Sequence, residues 1–472
     1  MLDQTKAGTL IELAMAEIRR LAAAAPGVRL PSIRRLAERQ RVSKSTIVEA
    51  YDRLAAEGAV EARPGSGFFA TTRVRPFAPS ENTPKLDRAI DPLWIYRQAL
   101  TPRAGVLHPG CGWLPDSWLP DDIIRRGLRA VARDEGANLS AYSLPQGFWP
   151  LREHLARRLV ERDLAVDPAS ILLTDSGSRA IDLVCRFLLQ PGDTVLVDDP
   201  CYFNFQAMLQ AQRARIIGVP YTPHGPDLDH FASLCAEHRP RLYLTTAVLH
   251  NPTGATVSVG TAHRLLKLAE QHDLILVEDA IFTDFEARPS PGLAALDGFE
   301  RVIHLGSFSK TLTAALRCGY VVARADWIEG LTDLALATGI GCSDIAAQTT
   351  FRLLTDGSYR RHLEALRPRL AKAMAATSDR LQSLGLTLWT EPEAGMFLWA
   401  ELPEGLDSAT IAMRALERDV VLAPGNIFSV SQNASRFLRF NVAQSGDKRL
   451  FDVLGNILGS EAFQPASADF AR

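Results

Sequence analysis

Apolar residues recur at roughly helical spacing over residues 5 to 25. Leu10, Leu13, Ile18 and Leu21 fall on one stripe, which predicts a helix that stops at Pro26-Gly27. A shorter helix is predicted after Leu30-Pro31-Ser32, with Ser32 as N-cap and Leu36 and Ala37 turned inward. Ser43 caps a third, which carries Ile47, Ala50, Tyr51 and Leu54 inward and ends at Gly58. The period then changes. Residues 60–63 and 68–70 flank Pro64-Gly65-Ser66-Gly67, a small hairpin with a tight tip. Three helices and a hairpin make a winged helix-turn-helix, expected over residues 1–72.

Pro76, Pro79 and Pro84 punctuate a stretch poor in apolar positions, so a linker is expected at 73–90 and a separate body over 91–472. From about residue 170 short apolar runs alternate with helical stretches. Residues 171–174, 194–197, 242–245 and 274–277 are predicted strands, with helices such as 178–189 and 261–272 between them. The alternation predicts an α/β fold over about 145–350, a mainly parallel sheet with helices on both faces. Residues 91–144 and 351–465, with short strands near 386–401 and 437–442, are expected to form a smaller α+β part.

Length agrees with several domains: 472 residues at ~150 per domain suggest about three. A composition 47% hydrophobic and 22% charged suits a large buried core. No run approaches the ~20 apolar residues that span a bilayer, and Asp3, Glu12 and Glu17 do not belong in a secretory signal. Six scattered cysteines without a CxxC pair point to reduced thiols in a cytoplasm, and to neither a disulfide framework nor a metal site. Charge is unevenly placed. Residues 1–75 hold 13 basic and 8 acidic side chains, a net of +5, and the remainder holds 39 and 46, a net of −7. A basic head on an acidic body is expected where only the head meets a polyanion.

The third helix opens Ser43-Lys44-Ser45-Thr46, short donors and one cation at a helix N-terminus. Such groups bond phosphates and base edges when that end enters the major groove of double-stranded DNA. Arg34, Arg35 and the wing's Arg63 add candidate phosphate contacts. Leu30-Pro31-Ser32-x-Arg34-x-Leu36-Ala37, Val42-Ser43-Lys44-Ser45-Thr46, Ala50-Tyr51-x-x-Leu54, Glu57-Gly58 and Arg63-Pro64-Gly65-Ser66-Gly67 together resemble a GntR-type DNA-binding domain across residues 9–70. Val48 departs from the pattern, since some members place an arginine there.

A second chemistry sits in the body. Lys310 follows the predicted strand 301–305 on a polar turn with Ser307 and Ser309, and Arg317 stands seven residues on. It looks like the lysine that holds pyridoxal phosphate as a Schiff base. Asp279 ends another strand, where an acid keeps a pyridine nitrogen protonated. Ser176-Gly177-Ser178 lies between strand and helix, where N–H groups and hydroxyls cradle a phosphate. Asn251, in Asn251-Pro252-Thr253-Gly254, is a candidate partner for the ring hydroxyl.

In this order these residues resemble a fold-type I aminotransferase over about residues 105–455. The resemblance implies further roles. Tyr202 in Asp199-Pro200-Cys201-Tyr202 stacks on the cofactor ring, and Arg317 binds its phosphate. Tyr142 reaches the phosphate of a partner subunit's cofactor, and Arg439 in Leu438-Arg439-Phe440-Asn441 grips a substrate carboxylate. Ile281 and Phe282 stand where the family usually has a tyrosine that bonds the ring oxygen. A GntR-type head on an aminotransferase-like body resembles the MocR family of bacterial transcription regulators. That resemblance implies a homodimer that binds operator DNA and senses an amine, an amino acid or the cofactor itself. A working aminotransferase, with Lys310, Asp279 and Arg439 as its catalytic groups, is the alternative.

Overall fold

The computed structural model describes residues 10–24, 27–63, 65–71, 103, 105–137, 139–339 and 341–461. The expected linker at 73–90 and the wing-tip Pro64 lie outside these residues. The chain divides into two compact units, Met1–Asp87 and Arg88–Arg472.

The first unit holds α1 (Leu10–Ala24), α2 (Ile33–Gln40), α3 (Lys44–Ala56), β1 (Val60–Arg63) and β2 (Gly67–Ala70). Both expected caps form: Ser32 Oγ accepts the Arg35 N–H at 3.3 Å and Ser43 Oγ accepts that of Thr46 at 3.1 Å. Leu36, Ile47, Ala50, Tyr51 and Leu54 are fully buried as their spacing predicts. The stripe predicted on α1 is corrected. Leu10 and Leu13 are 61% and 56% exposed, while Ala14, Met15 and Ile18 are buried. Ala14 and Met15, not the two leucines, pack inward with Ile18 at i+4 and i+3 spacing.

The wing also gains backbone pairing that its sequence hides. Residues 27–30 run antiparallel to β2, with Leu30 N–H on Phe68 O at 2.8 Å and Ala70 N–H on Val28 O at 2.9 Å. Tyr51 locks the two layers. Its ring stacks on Phe68 at 4.1 Å and its hydroxyl donates to Pro31 O at 2.6 Å.

The second unit is built on an eight-stranded sheet in the order β3-β10-β9-β8-β7-β4-β5-β6. Its strands are β3 (Ile171–Thr174), β4 (Thr194–Asp199), β5 (Arg215–Thr222), β6 (Gly225–Pro226), β7 (Leu242–Thr245), β8 (Ile275–Asp279), β9 (Val302–Ser307) and β10 (Gly319–Val322). Neighbours from β9 to β5 pair in parallel, and β10 runs against both β3 and β9. Helices cover both faces, so β3 and β7 are buried at every position and read as unbroken apolar runs.

The carboxyl ends of these parallel strands gather Thr174, Asp199, Thr245, Asp279 and Ser307 at one edge, the place where such sheets bind ligands. A smaller antiparallel sheet follows in the order β11-β12-β14-β13, from β11 (Thr387–Leu388), β12 (Phe397–Glu401), β13 (Ala423–Pro424) and β14 (Phe437–Asn441). Residues 107–110 run beside the approach to β13, through Leu107 N–H on Asp419 O and Gly110 N–H on Val421 O. Among the described residues no helix is long and apolar enough to cross a membrane.

Candidate functional site

Five of the predicted residues meet in one cavity: Lys310, Asp279, Asn251, Tyr202 and Arg439. Each arrives on a different element. Asp279 is the last residue of β8, Arg439 is central in β14, and Tyr202 caps the helix Phe203–Ala211. Lys310 sits on the turn after β9, and Nζ donates to Gly112 O at 2.7 Å.

Arg439 is 2% exposed and held from four sides. Nη1 donates to Asn251 Oδ1 at 2.7 Å and Nη2 to Gly110 O at 2.6 Å. Phe397 and Phe428 lie 4.4 and 4.7 Å from its guanidinium carbon. Nε is buried without a hydrogen-bond partner. A buried cation with spare donors at the wall of a cavity is suited to an anion.

Burial sets the protonation of the site. It pushes the Lys310 ammonium down to about 8, with the Arg439 charge adding to the effect. It pushes the Asp279 carboxyl up to about 7, against a hydrogen bond from the Ile281 N–H and the charge of Lys310. Arg439 falls to about 10 for the same reason and stays cationic at neutral pH. A lysine with a share of neutral amine near pH 7 is a competent nucleophile toward a carbonyl.

The predicted phosphate groups form a neighbouring wall that does not line the cavity. A Cβ on Gly177 would touch Ser307 Cβ at 3.4 Å, which brings the loop Ser176-Gly177-Ser178 to the end of β9. Ser176 Oγ caps the helix Gly177–Leu188 through the Arg179 N–H, so that helix presents its N-terminus there. Ser307 Oγ donates to Ser309 Oγ at 3.0 Å and contacts Cys318 O at 3.3 Å. Arg317, just before Cys318, has a left-handed φ of 51° and an exposed side chain.

Tyr142 is not brought in. It is 86% exposed in a groove with Leu139 and Ile345. Ile281 and Phe282 both line the cavity, and Phe282 packs edge-on against Phe397 at 5.4 Å.

Several residues of the site were not expected. Gly110, Cys111, Gly112 and Trp113 also line the cavity, carried by the strand-like run 107–110. Asn441 pins that wall, with Nδ2 on Cys111 O at 3.1 Å and Trp113 O at 2.8 Å. Gly110 is required there, since a Cβ would come within 2.5 Å of the Ala423 nitrogen. The Gly-Cys-Gly-Trp run is too short for any periodicity to mark it.

Beneath Asn251, buried Asp198 accepts from Tyr243 Oη, Thr245 Oγ1 and the Thr246 N–H. His250 Nε2 lies 3.3 Å from Asp198, and His250 Nδ1 shares a 2.8 Å hydrogen bond with Thr253. Behind Lys310, Tyr359 Oη donates to Asp284 at 2.6 Å and meets Thr311 Oγ1 at 2.5 Å. These networks fix the loops of Asn251 and Lys310, and their members lie far apart in sequence.

In the first unit, the predicted DNA-facing groups are exposed. Ser43 Oγ lies 2.7 Å from both Ser45 Oγ and Thr46 Oγ1 at the start of α3. Lys44 is exposed beside them. Arg34 pairs with Glu38 at 3.3 Å, and Arg35 is exposed. Arg63 pairs with Glu61 at 2.9 Å and lies 4.4 Å over Phe69. Gly67 has φ of 96°, and Arg29, not expected from the sequence, sits 3.5 Å from where its Cβ would be.

Comparison with known proteins places both units. Residues 116–457 match aminotransferase class I and II, and residues 16–70 match the bacterial regulatory proteins of the gntR family. The chain is 27% identical to the uncharacterized HTH-type transcriptional regulator YisV of Bacillus subtilis, covering 90% of each chain. It is 28% identical to the probable rhizopine catabolism regulatory protein MocR of Rhizobium meliloti, over 84% of this chain and 82% of that one.

Among solved structures it is similar to LysN, an alpha-aminoadipate aminotransferase of Thermus thermophilus complexed with N-(5'-phosphopyridoxyl)-L-leucine. The TM-score is 0.71 at 28% identity, covering 78% of this chain and 94% of that one. The chain belongs to the aminotransferase class I and II family and, with a gntR-family DNA-binding unit in front of that body, has the make-up of a MocR-type transcription regulator.

Proposed function

We propose that this protein is a cytoplasmic bacterial regulator whose first unit binds operator DNA while its body senses an amino compound through pyridoxal phosphate. The carrying observation is the meeting of Lys310, Asp279, Asn251 and Arg439 in one cavity of a chain that opens with a DNA-reading unit. The donor set fits the cofactor. It holds a buried amine, a buried acid, an amide, an aromatic ring and, alongside, a helix N-terminus with three serine hydroxyls.

Pyridoxal phosphate, when bound, supplies a carbonyl for which a lysine and free amines compete, and a ring that withdraws electrons. Lys310 Nζ then takes or yields a proton in a site where burial has lowered its basicity. Asp279, whose carboxyl burial raises to about 7, would hold the ring nitrogen and favour its protonated form. Asn251 would face the ring, and its Oδ1 accepts from Nη1 of Arg439 and so positions that guanidinium. Ser176, Gly177, Ser178, Ser307, Ser309 and Arg317 are the phosphate ligands in this reading, and Tyr202 is the stacking ring. The exposed Tyr142, beside exposed Leu139, Leu144 and Ile345, supports a homodimer in which it completes the partner's site.

The test uses the full chain and a duplex selected by it from a random pool. DNA affinity is measured cofactor-free, with pyridoxal phosphate, and with cofactor plus a panel of amino compounds. A change of at least threefold on adding an amino compound to the loaded protein is expected. A change with pyridoxal phosphate alone would make the cofactor itself the signal, and no change in any state would sink sensing by this body.

A working aminotransferase is the second reading, favoured by the complete set Lys310, Asp279 and Arg439. Ile281 and Phe282 weigh against it, since neither carries a hydroxyl for the ring oxygen. Many turnovers with a keto-acid acceptor would establish it.

A further inference from the structure

The cavity that unites Lys310 and Arg439 also carries a record of what the amino compound looks like. Among the described residues that line it, the cations are Lys310 and Arg439 and the anion is Asp279. All three have assignments in the reading above, on which this inference rests. Tyr202 and Asn251 also line it and are assigned to the cofactor in that reading; apart from two glycines, the rest of the wall is Cys111, Trp113, Phe203, Ile281 and Phe282.

That wall is preformed. Asn441 Nδ2 and Gln444 Nε2 hold the Trp113 carbonyl at 2.8 and 3.3 Å. Phe203 rests edge-on against Phe428 at 5.8 Å, and Phe282 against Phe397. The Cys111 thiol is pushed up to about 11 by burial, so it adds no charge near neutrality.

Gly112 faces both cations. A Cβ there would meet Arg439 Nη2 at 3.8 Å and Lys310 Nζ at 3.9 Å. One point thus lies within van der Waals reach of both the carboxylate-binding cation and the reacting amine. A molecule spanning so short a gap has its own amine and carboxylate close together, as an α-amino acid does and a long ω-amino acid does not. Whatever extends from its α-carbon meets aromatic and aliphatic surface. A second carboxylate or an ammonium there would lose its water without gaining a partner among the described residues.

We infer that the sensed compound is an α-amino monocarboxylate with an uncharged apolar side chain, its carboxylate on Arg439 and its side chain against Trp113, Phe203 and Phe282. Gly112 is left bare to admit it.

The experiment titrates the cofactor-loaded full chain with leucine, phenylalanine, aspartate, glutamate and 4-aminobutyrate, following the cofactor's visible absorbance. Leucine or phenylalanine is expected to bind at least roughly tenfold more tightly than the two acids and 4-aminobutyrate. Equal or tighter binding of aspartate, glutamate or 4-aminobutyrate overturns the inference while leaving an amine-sensing body intact. Silence toward every compound, with the cofactor still bound, overturns the sensing reading itself.

Gly112→Ala locates the site. The new methyl makes only ordinary contacts in the free protein, so the thermal midpoint should match that of the parent; because Gly112 O holds Lys310 Nζ, cofactor loading is measured alongside and leucine affinity is compared at equal loading. Affinity for leucine should fall at least tenfold. Unchanged leucine affinity would mean that the compound does not pass between Arg439 and Lys310.

Discussion

The two functional regions of this chain place their charges in opposite ways. On the first unit the cations proposed to meet DNA stand in water. Arg34 and Arg63 pair with the exposed Glu38 and Glu61, and Lys44 sits at a helix start with its charge unburied. In the body Lys310, Asp279 and Arg439 are enclosed, and each is shifted toward its neutral form by desolvation. The difference is functional. Exposed cations exchange counterions for phosphates, so each contributes a small, salt-dependent increment. Enclosed groups act one at a time on a single bound molecule, so removing one removes a step.

The largest effect is therefore expected at Lys310. Lys310→Ala should abolish the visible band of cofactor-loaded protein and any borohydride-trapped label, with little change in thermal midpoint. A label that persists would remove this lysine from the chemistry. The same enclosure predicts how the parent loads. Neutral amine should accumulate as pH rises through about 8, so loading should plateau above that pH. A rise centred near the ordinary lysine value would mean that burial does not hold the amine down.

An intermediate and graded effect is expected on the other side of the comparison. Lys44→Gln removes one exposed cation at the start of α3. It should weaken DNA binding for all sequences and reduce the slope of log affinity against log salt by ~0.9, one phosphate's worth. An unchanged slope would take Lys44 off the DNA.

The two regions also differed in how legible they were. Caps, tight turns and strand ends are local, and as structure they were read correctly: Ser32 and Ser43 cap their helices, Gly67 turns the hairpin, Asp279 ends a strand, and Ser176-Gly177-Ser178 joins a strand to a helix. Contacts made across the chain were not. The run 27–30 pairs with β2 only because the wing folds back on it. Cys111, Gly112 and Trp113 enter the cavity because Asn441, 328 residues from Trp113, holds the Cys111 and Trp113 carbonyls on either side of Gly112. Asp198 and His250 support Asn251 from a buried layer that no spacing announces. On α1, leucines drew the eye, although Ala14 and Ile18 make the packing row.

The smallest expected effect tests the one departure that both sequence and geometry expose. Phe282 is 2% exposed and lies edge-on to Phe397, which itself supports Arg439. Phe282→Tyr adds a single hydroxyl at a wall of the cavity without changing the ring that packs. If that hydroxyl reaches the cofactor's ring oxygen, it stabilises the charged form of that oxygen and lowers the pH midpoint of the visible band. The shift should be under about one unit, because one hydrogen bond to a charged group contributes roughly 1.5–3 kcal/mol before its own desolvation is subtracted. Ile281→Tyr is the matching control, since Ile281 also lines the cavity. A midpoint moved by Ile281→Tyr and not by Phe282→Tyr would assign the missing donor to position 281. Curves superimposable on the parent for both would show that the cavity has closed that position to the ring, and that the enclosed region tolerates the loss of a donor as readily as the exposed one.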